Sequence, residues 1–69
     1  MKATYDQETD SLTIILHEAE VSESDELRDG VIVDFDREGR VVAIELLNAS
    51  RHADEPLAFS YELKPAANQ

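Results

Sequence analysis

The run from Gly30 to Leu47, GVIVDFDREGRVVAIELL, constrains the fold more than any other part of this 69-residue chain. Valine and isoleucine crowd both halves of it, and β-branched residues favour a pleated, half-buried surface. Between the halves, Gly39 suits a type I turn closed by a left-handed residue. With that turn, Asp36 is expected opposite Arg40, Asp34 opposite Val42 and Ile32 opposite Ile44. One face of the ribbon would then carry Ile32, Val42, Ile44 and Leu46, with Asp34 among them. The other would carry Val31, Val33, Phe35, Val41, Ala43 and Leu47, with Glu45 among them. An antiparallel sheet with one wet face should alternate cleanly between apolar and polar residues. Two apolar faces therefore demand two covers, one from the chain after residue 47 and one from a second subunit.

The flanking sequence extends the β pattern. KATY precedes the polar cluster DQETD, and SLTIILH follows it, with Leu12, Ile14 and Leu16 at every second position. Two extended runs around a turn-forming cluster predict a hairpin. Residues 18–29 hold six acids and one base, Arg28, which fits a short edge strand or a surface loop, since charge on an edge discourages unwanted pairing. Asp29-Gly30 is a tight-turn dipeptide. Asn48 is expected to cap a short helix through Ala53, which Asp54-Glu55-Pro56 breaks. In LAFSYEL, Leu57, Phe59, Tyr61 and Leu63 alternate with smaller or polar residues, which favours a strand over a helix. The expected fold is mainly β (small α+β), antiparallel β-hairpins or a meander of about four to five strands with one short helix near residues 48–54. A single β-rich domain is expected over 1–64, with a frayed tail over 65–69.

A chain this short buries only about 60% of its unfolded surface. Its core alone seldom yields more than about 3–5 kcal/mol without a disulfide, a metal or a partner. No cysteine is present, so neither a disulfide nor a thiolate metal site is available. Self-association is the remaining source of stability, and a dimer is expected. Sixteen acidic and six basic residues give a formal charge of −10, which repels phosphate backbones and anionic membranes and suits a basic protein partner. The N-terminal residues hold no apolar run of signal-peptide length, and none elsewhere is long enough to span a bilayer. A cytoplasmic protein is expected.

The pattern Tyr5-Asp6-x-Glu8-x-Asp10-x-Leu12, followed by ESDELRDGVIVDFDREGRVVAIELLNAS, resembles a family of small bacterial proteins known as a domain of unknown function, number twenty-two eighty-three in that series. The resemblance covers residues 1–51. It implies a compact β-rich domain with no established catalytic residues. Some relatives are encoded beside small toxin-like proteins, so it also implies an antitoxin-like role.

The segment DFDREGRVVAIE has the spacing of an EF-hand loop, with Asp34, Asp36, Glu38, Gly39, Val41 and Glu45 at its six diagnostic positions. An EF-hand loop joins two helices, and both flanks here favour strands. The expected register also sends Glu45 to the face opposite Asp34 and Asp36, so the hairpin is the expected structure and no metal site is assigned. Asp6, Glu8 and Asp10 sit in a predicted turn, where aspartate caps its own backbone. His17 and His52 lie in no recognised ligand spacing. The serines follow no nucleophile motif, and two glycines cannot form a phosphate-cradling loop. No enzyme activity and no cofactor is expected. The expected function is a self-associating interaction module, and the alternative is a small-ligand or divalent-metal-binding domain using the acidic turns. Ile32, Val42, Ile44 and Leu46 are the candidate contact residues, with Phe59 and Tyr61 as alternatives if the C-terminal strand is exchanged between subunits.

Overall fold

The computed structural model describes residues 1–67, so Asn68 and Gln69 of the expected frayed tail lie outside the described residues. Five antiparallel strands form one sheet: β1 (Lys2–Asp6), β2 (Ser11–Ile15), β3 (Glu23–Arg28), β4 (Val31–Phe35) and β5 (Val41–Leu47). A single 3₁₀ turn follows at Ala49–Arg51. The fold is mainly β, as expected. The strand order is β1-β2-β5-β4-β3, so the β2–β3 connection must pass the ends of β5 and β4.

Local chemistry explains the turns. Asp6 Oδ1 accepts from the Glu8 and Thr9 amides at 2.9 and 3.4 Å, which closes the β1–β2 turn by the expected aspartate capping. At the β3–β4 turn Gly30 has φ 80°, a conformation that favours glycine, and an added Cβ would stand a tight 3.3 Å from the Leu47 carbonyl oxygen. The β4–β5 turn is the expected one. Gly39 has φ 82°, its N–H donates to Asp36 O at 3.1 Å, and Asp36 N–H donates to Arg40 O at 2.9 Å.

Two buried or half-buried aspartates tie the ends of the sheet. At one end Asp36 Oδ1 accepts from the Glu38 and Arg40 amides, both at 2.9 Å. Its Oδ2 meets Arg40 Nε and His17 Nε2, each at 3.1 Å. His17 belongs to the long β2–β3 connection, so this carboxylate pins that connection to the hairpin turn. At the other end Asp10, with φ 55°, accepts from Tyr5 Oη at 2.6 Å, from Ser50 Oγ at 2.6 Å and from Ser50 N–H at 3.0 Å. Its carbonyl takes the Ala49 amide at 2.8 Å, and Ala49 is fully buried. Asp10 thus does the capping expected of Asn48, which is left-handed (φ 54°) and makes no side-chain cap.

The C-terminal expectation is corrected. Residues 57–63 form neither strand nor helix, and Leu57, Phe59, Tyr61 and Leu63 are 60–78% exposed. Alternation favours a strand only where a neighbouring strand supplies hydrogen bonds, and the segment has none.

Hydrogen bonds from the Arg40 amide, then from His17 and the Glu38 amide, hold the Asp36 carboxyl at a pKa of about 2 against the opposing effect of its burial. A depressed carboxyl pKa adds stability above the unfolded value, and that stability is lost as pH falls through the folded value. The expected outcome is that Asp36→Asn lowers the melting temperature at pH 7 and flattens its decline between about pH 4 and pH 2, measured by circular dichroism against the unaltered chain.

Candidate functional site

The register of the β4–β5 hairpin decides which side chains share a face. Phe35 pairs with Val41, but the next residue back, Asp34, pairs with Ala43. Val42 is therefore an extra residue, a β-bulge, and both Val42 and Ala43 turn to the same side. Past the bulge Val33 pairs with Ile44, Ile32 with Glu45 and Val31 with Leu46. The expected set of Ile32, Val42, Ile44 and Leu46 is thus split. Ile32 and Val42 lie on one face, and Ile44 and Leu46 lie on the other.

The slip has a chemical result. The first face gathers Val31, Val33, Phe35, Val41, Ile44 and Leu46, and pairing through β2 and β1 adds Leu12, Ile14, Ala3 and Tyr5. Across these four strands it contains no charged side chain. Both acids of the hairpin, Asp34 and Glu45, go to the second face with Ile32, Val42 and Ala43. Instead of two mixed apolar faces, β1, β2, β5 and β4 share one apolar face and one mixed face, and β3 sets Glu23, Asp25 and Arg28 at the margin of the apolar one, opposite Phe35, Val33 and Val31.

The mixed face is partly covered. The β2–β3 connection brings Ala19 and Val21 over a cleft of about 400 Å³ floored by Val42, Ala43, Ile15 and Thr13. Asp34 is buried at its wall, accepts from Ser24 Oγ at 2.5 Å, and lies against Glu45. The expectation that Asp34 and Glu45 point to opposite faces is corrected by the same bulge. The two do not reconstitute a calcium loop, because strands rather than helices flank the turn and Asp36 is turned to the turn amides, Arg40 and His17. Among the described residues, no group of three or more acidic, histidine or cysteine side chains converges for a metal.

The apolar face has no comparable cover. Its residues are half-buried, and no large side chain is fully buried anywhere among the described residues. Phe59 and Tyr61 share clefts with Ala3 and Ile14 at the β1–β2 side of this face while remaining 60% and 73% exposed. The total accessible surface is 5844 Å², against about 4,300 Å² for a folded monomer of this mass. The radius of gyration is 14.0 Å, where about 11 Å is usual for 69 residues.

The bulge left a trace in the sequence. A regular register strands one acid on each face, whereas a slip of one residue at Val41-Val42 puts both on the same face. The consecutive valines and the two acids together signal it.

Hydrogen bonding to Asp34, then burial, then the charge of Asp34 push the Glu45 pKa up. A carboxyl whose pKa the fold raises contributes stability at acid pH that is lost as pH rises through the folded value. Glu45→Gln keeps a hydrogen-bond donor towards Asp34 without the charge. It is expected to raise the melting temperature at pH 7–8, with the gain shrinking as pH falls into the ordinary carboxyl range. A thermal melt series across pH checks this, and a gain independent of pH would contradict it.

Comparison with known proteins extends the pattern found in the chain. An uncharacterized protein of Methanocaldococcus jannaschii is 41% identical over 51 residues, which is 74% of this chain and 43% of that relative. The chain thus spans less than half the length of that relative. No solved structure matches. A family model described as a protein of unknown function, DUF2283, matches residues 2–50, which include all five strands and the bulged hairpin. The chain belongs to the DUF2283 family, and the bulged five-stranded sheet is what the matched residues build.

Proposed function

We propose that this chain is a non-enzymatic interaction module that self-associates through the apolar face of β1, β2, β5 and β4. The observation that carries the reading is the uncovered face itself, with Ile44 and Leu46 at its centre and Val31, Val33, Phe35, Leu12 and Ile14 around them. The surface of each chain exceeds that of a compact monomer by about 1,500 Å². Removing that excess from two chains would bury about 3,000 Å², inside the range of about 2,000–5,000 Å² for obligate homodimers. Residues 52–67, almost all exposed, contribute to that excess along with the apolar face, and a second copy matches the missing cover in chemistry.

The acidic turns support this reading over a ligand-binding one. Asp6 is spent on two backbone amides, Asp10 on Tyr5 and Ser50, and Asp36 on two amides, Arg40 and His17. A bound cation would have to displace those bonds. Among the described residues no helix is long and apolar enough to cross a membrane. A cysteine-free chain suits the reducing cytoplasm, where we place its action. Its charge of −10 favours a basic protein as any further partner, in line with the antitoxin-like role that family resemblance implies.

Sedimentation at micromolar concentration is expected to show a dimer, and the melting temperature should rise with protein concentration. Ile44→Asp places a charge at the centre of the face. It should weaken association at least a hundredfold, about 2.7 kcal/mol. A stable, well-folded monomer of the unaltered chain would sink the proposal. The basic-partner part is tested separately by co-purification with the product of the adjacent gene, and the absence of a salt-sensitive complex would remove it.

A further inference from the structure

Resting on the self-association reading, we infer that the β1 edge of the sheet takes residues 57–63 of a second copy as a sixth strand. The two edges of the sheet are chemically unlike. β3 presents Glu23, Asp25 and Glu26, is exposed throughout, and is broken by a bulge between Glu26 and Arg28. Charge and bulges of this kind block strand addition. β1 is a regular five-residue strand with Lys2 and Asp6 at its ends, and it pairs on one side only, with β2.

The segment that fits this edge is already in the chain. Residues 57–63 alternate strictly, with Leu57, Phe59, Tyr61 and Leu63 on one side and Ala58, Ser60 and Glu62 on the other. In its own chain the segment tracks β1 in the opposite direction. Pro56, Leu57 and Phe59 share one cleft with Ala3, Tyr5, Gln7 and Leu12, and Phe59 and Tyr61 share the next with Met1, Lys2, Ala3 and Ile14. An antiparallel pairing of Phe59 with Ala3 would follow that direction and place Glu62 diagonally from Lys2, a favourable cross-strand pairing. The backbone hydrogen bonds do not follow. The last one before the segment opens out is Ala58 N–H to Glu55 O at 3.2 Å, and among the described residues none joins residues 59–67 to β1.

Tethering explains the difference. The chain reaches residue 57 through the 3₁₀ turn, itself fastened to Asp10, and through Pro56. Held from that point, the segment runs along the β1 side without seating on the edge. The same segment of a second copy has no such tether, and both it and β1 carry unpaired backbone groups that water alone satisfies in one chain. Reciprocal exchange of the segment would pair both edges and bring Leu57, Phe59 and Tyr61 against the uncovered face, the strand-addition mode of recognition applied between identical subunits.

The cysteine-free sequence makes this directly testable. Full-length Ala3→Cys and Phe59→Cys variants are refolded together and gently oxidised. A disulfide-linked heterodimer is expected in at least fivefold excess over a control mixture of Ala3→Cys with Glu20→Cys, which sits in the β2–β3 connection. Thr4→Cys with Ala58→Cys, the neighbouring positions in the same register, repeats the test if either first variant fails to fold. A sedimenting dimer in which neither pair crosslinks between chains, while the Ala3→Cys/Phe59→Cys double variant closes within one chain, would overturn the exchange and leave the face reading standing. A monomeric unaltered chain would instead overturn the self-association on which it rests.

Discussion

One inserted residue governs the chemistry of this sheet. Because side chains alternate with period two, a slip of one position reverses every side chain beyond it. At Val42 the slip falls between the hairpin turn and the body of β5, so the turn keeps its ordinary geometry while the rest of the strand is inverted relative to β4. The inversion removes Glu45 from the company of Phe35 and Val33 and sets it beside Asp34. It also sets Ile44 and Leu46 beside Val33 and Val31, and the apolar face exists because of that exchange.

The aspartates of the turns are put to structural use. Asp36 and Asp10 each gather donors from segments distant in sequence and fasten opposite ends of the sheet. A lone sheet has no second layer to hold its connections, so the β2–β3 crossover and the 3₁₀ turn depend on these carboxylates. Charge-assisted hydrogen bonds to backbone amides are stronger than neutral ones, which suits them to replace packing that a 69-residue chain cannot supply.

Turn chemistry and β-rich composition made much of the fold legible. Gly39, Asp29-Gly30 and the DQETD cluster each act through their own backbone, so local sequence carried the information. The charged run of residues 18–29 was readable as an edge for the same reason. What escaped depended on tertiary context. Asp34 and Glu45, stranded on opposite faces by a regular register, hint at the bulge at Val42, but β5 also pairs with β2, and a hairpin read alone has no second partner to decide the register. Asn48 has the right chemistry for a helix cap, yet Asp10, 38 positions earlier, reaches the same amides across the sheet end. The strand pattern of residues 57–63 is genuine as a propensity, but a strand needs an edge, and no period in the sequence says whose edge.

Charge placement joins these features. A formal charge of −10 would ordinarily oppose association of two identical chains. Here the acids cluster on β3, the turns and the β2–β3 connection, so Ile44 and Leu46 and the sparsely charged β1 edge lie away from most of them, while Glu23 and Asp25 stand at the β3 margin of the same face beside Phe35 and Val33. Repulsion then penalises every approach that brings acidic turns or β3 strands together, so the proposed contact of apolar faces is least opposed when the β3 margins of the two copies lie apart. In such a contact the net charge would act against misassembly rather than against assembly. Without the bulge Glu45 would sit among the aliphatic side chains and that distinction would be lost.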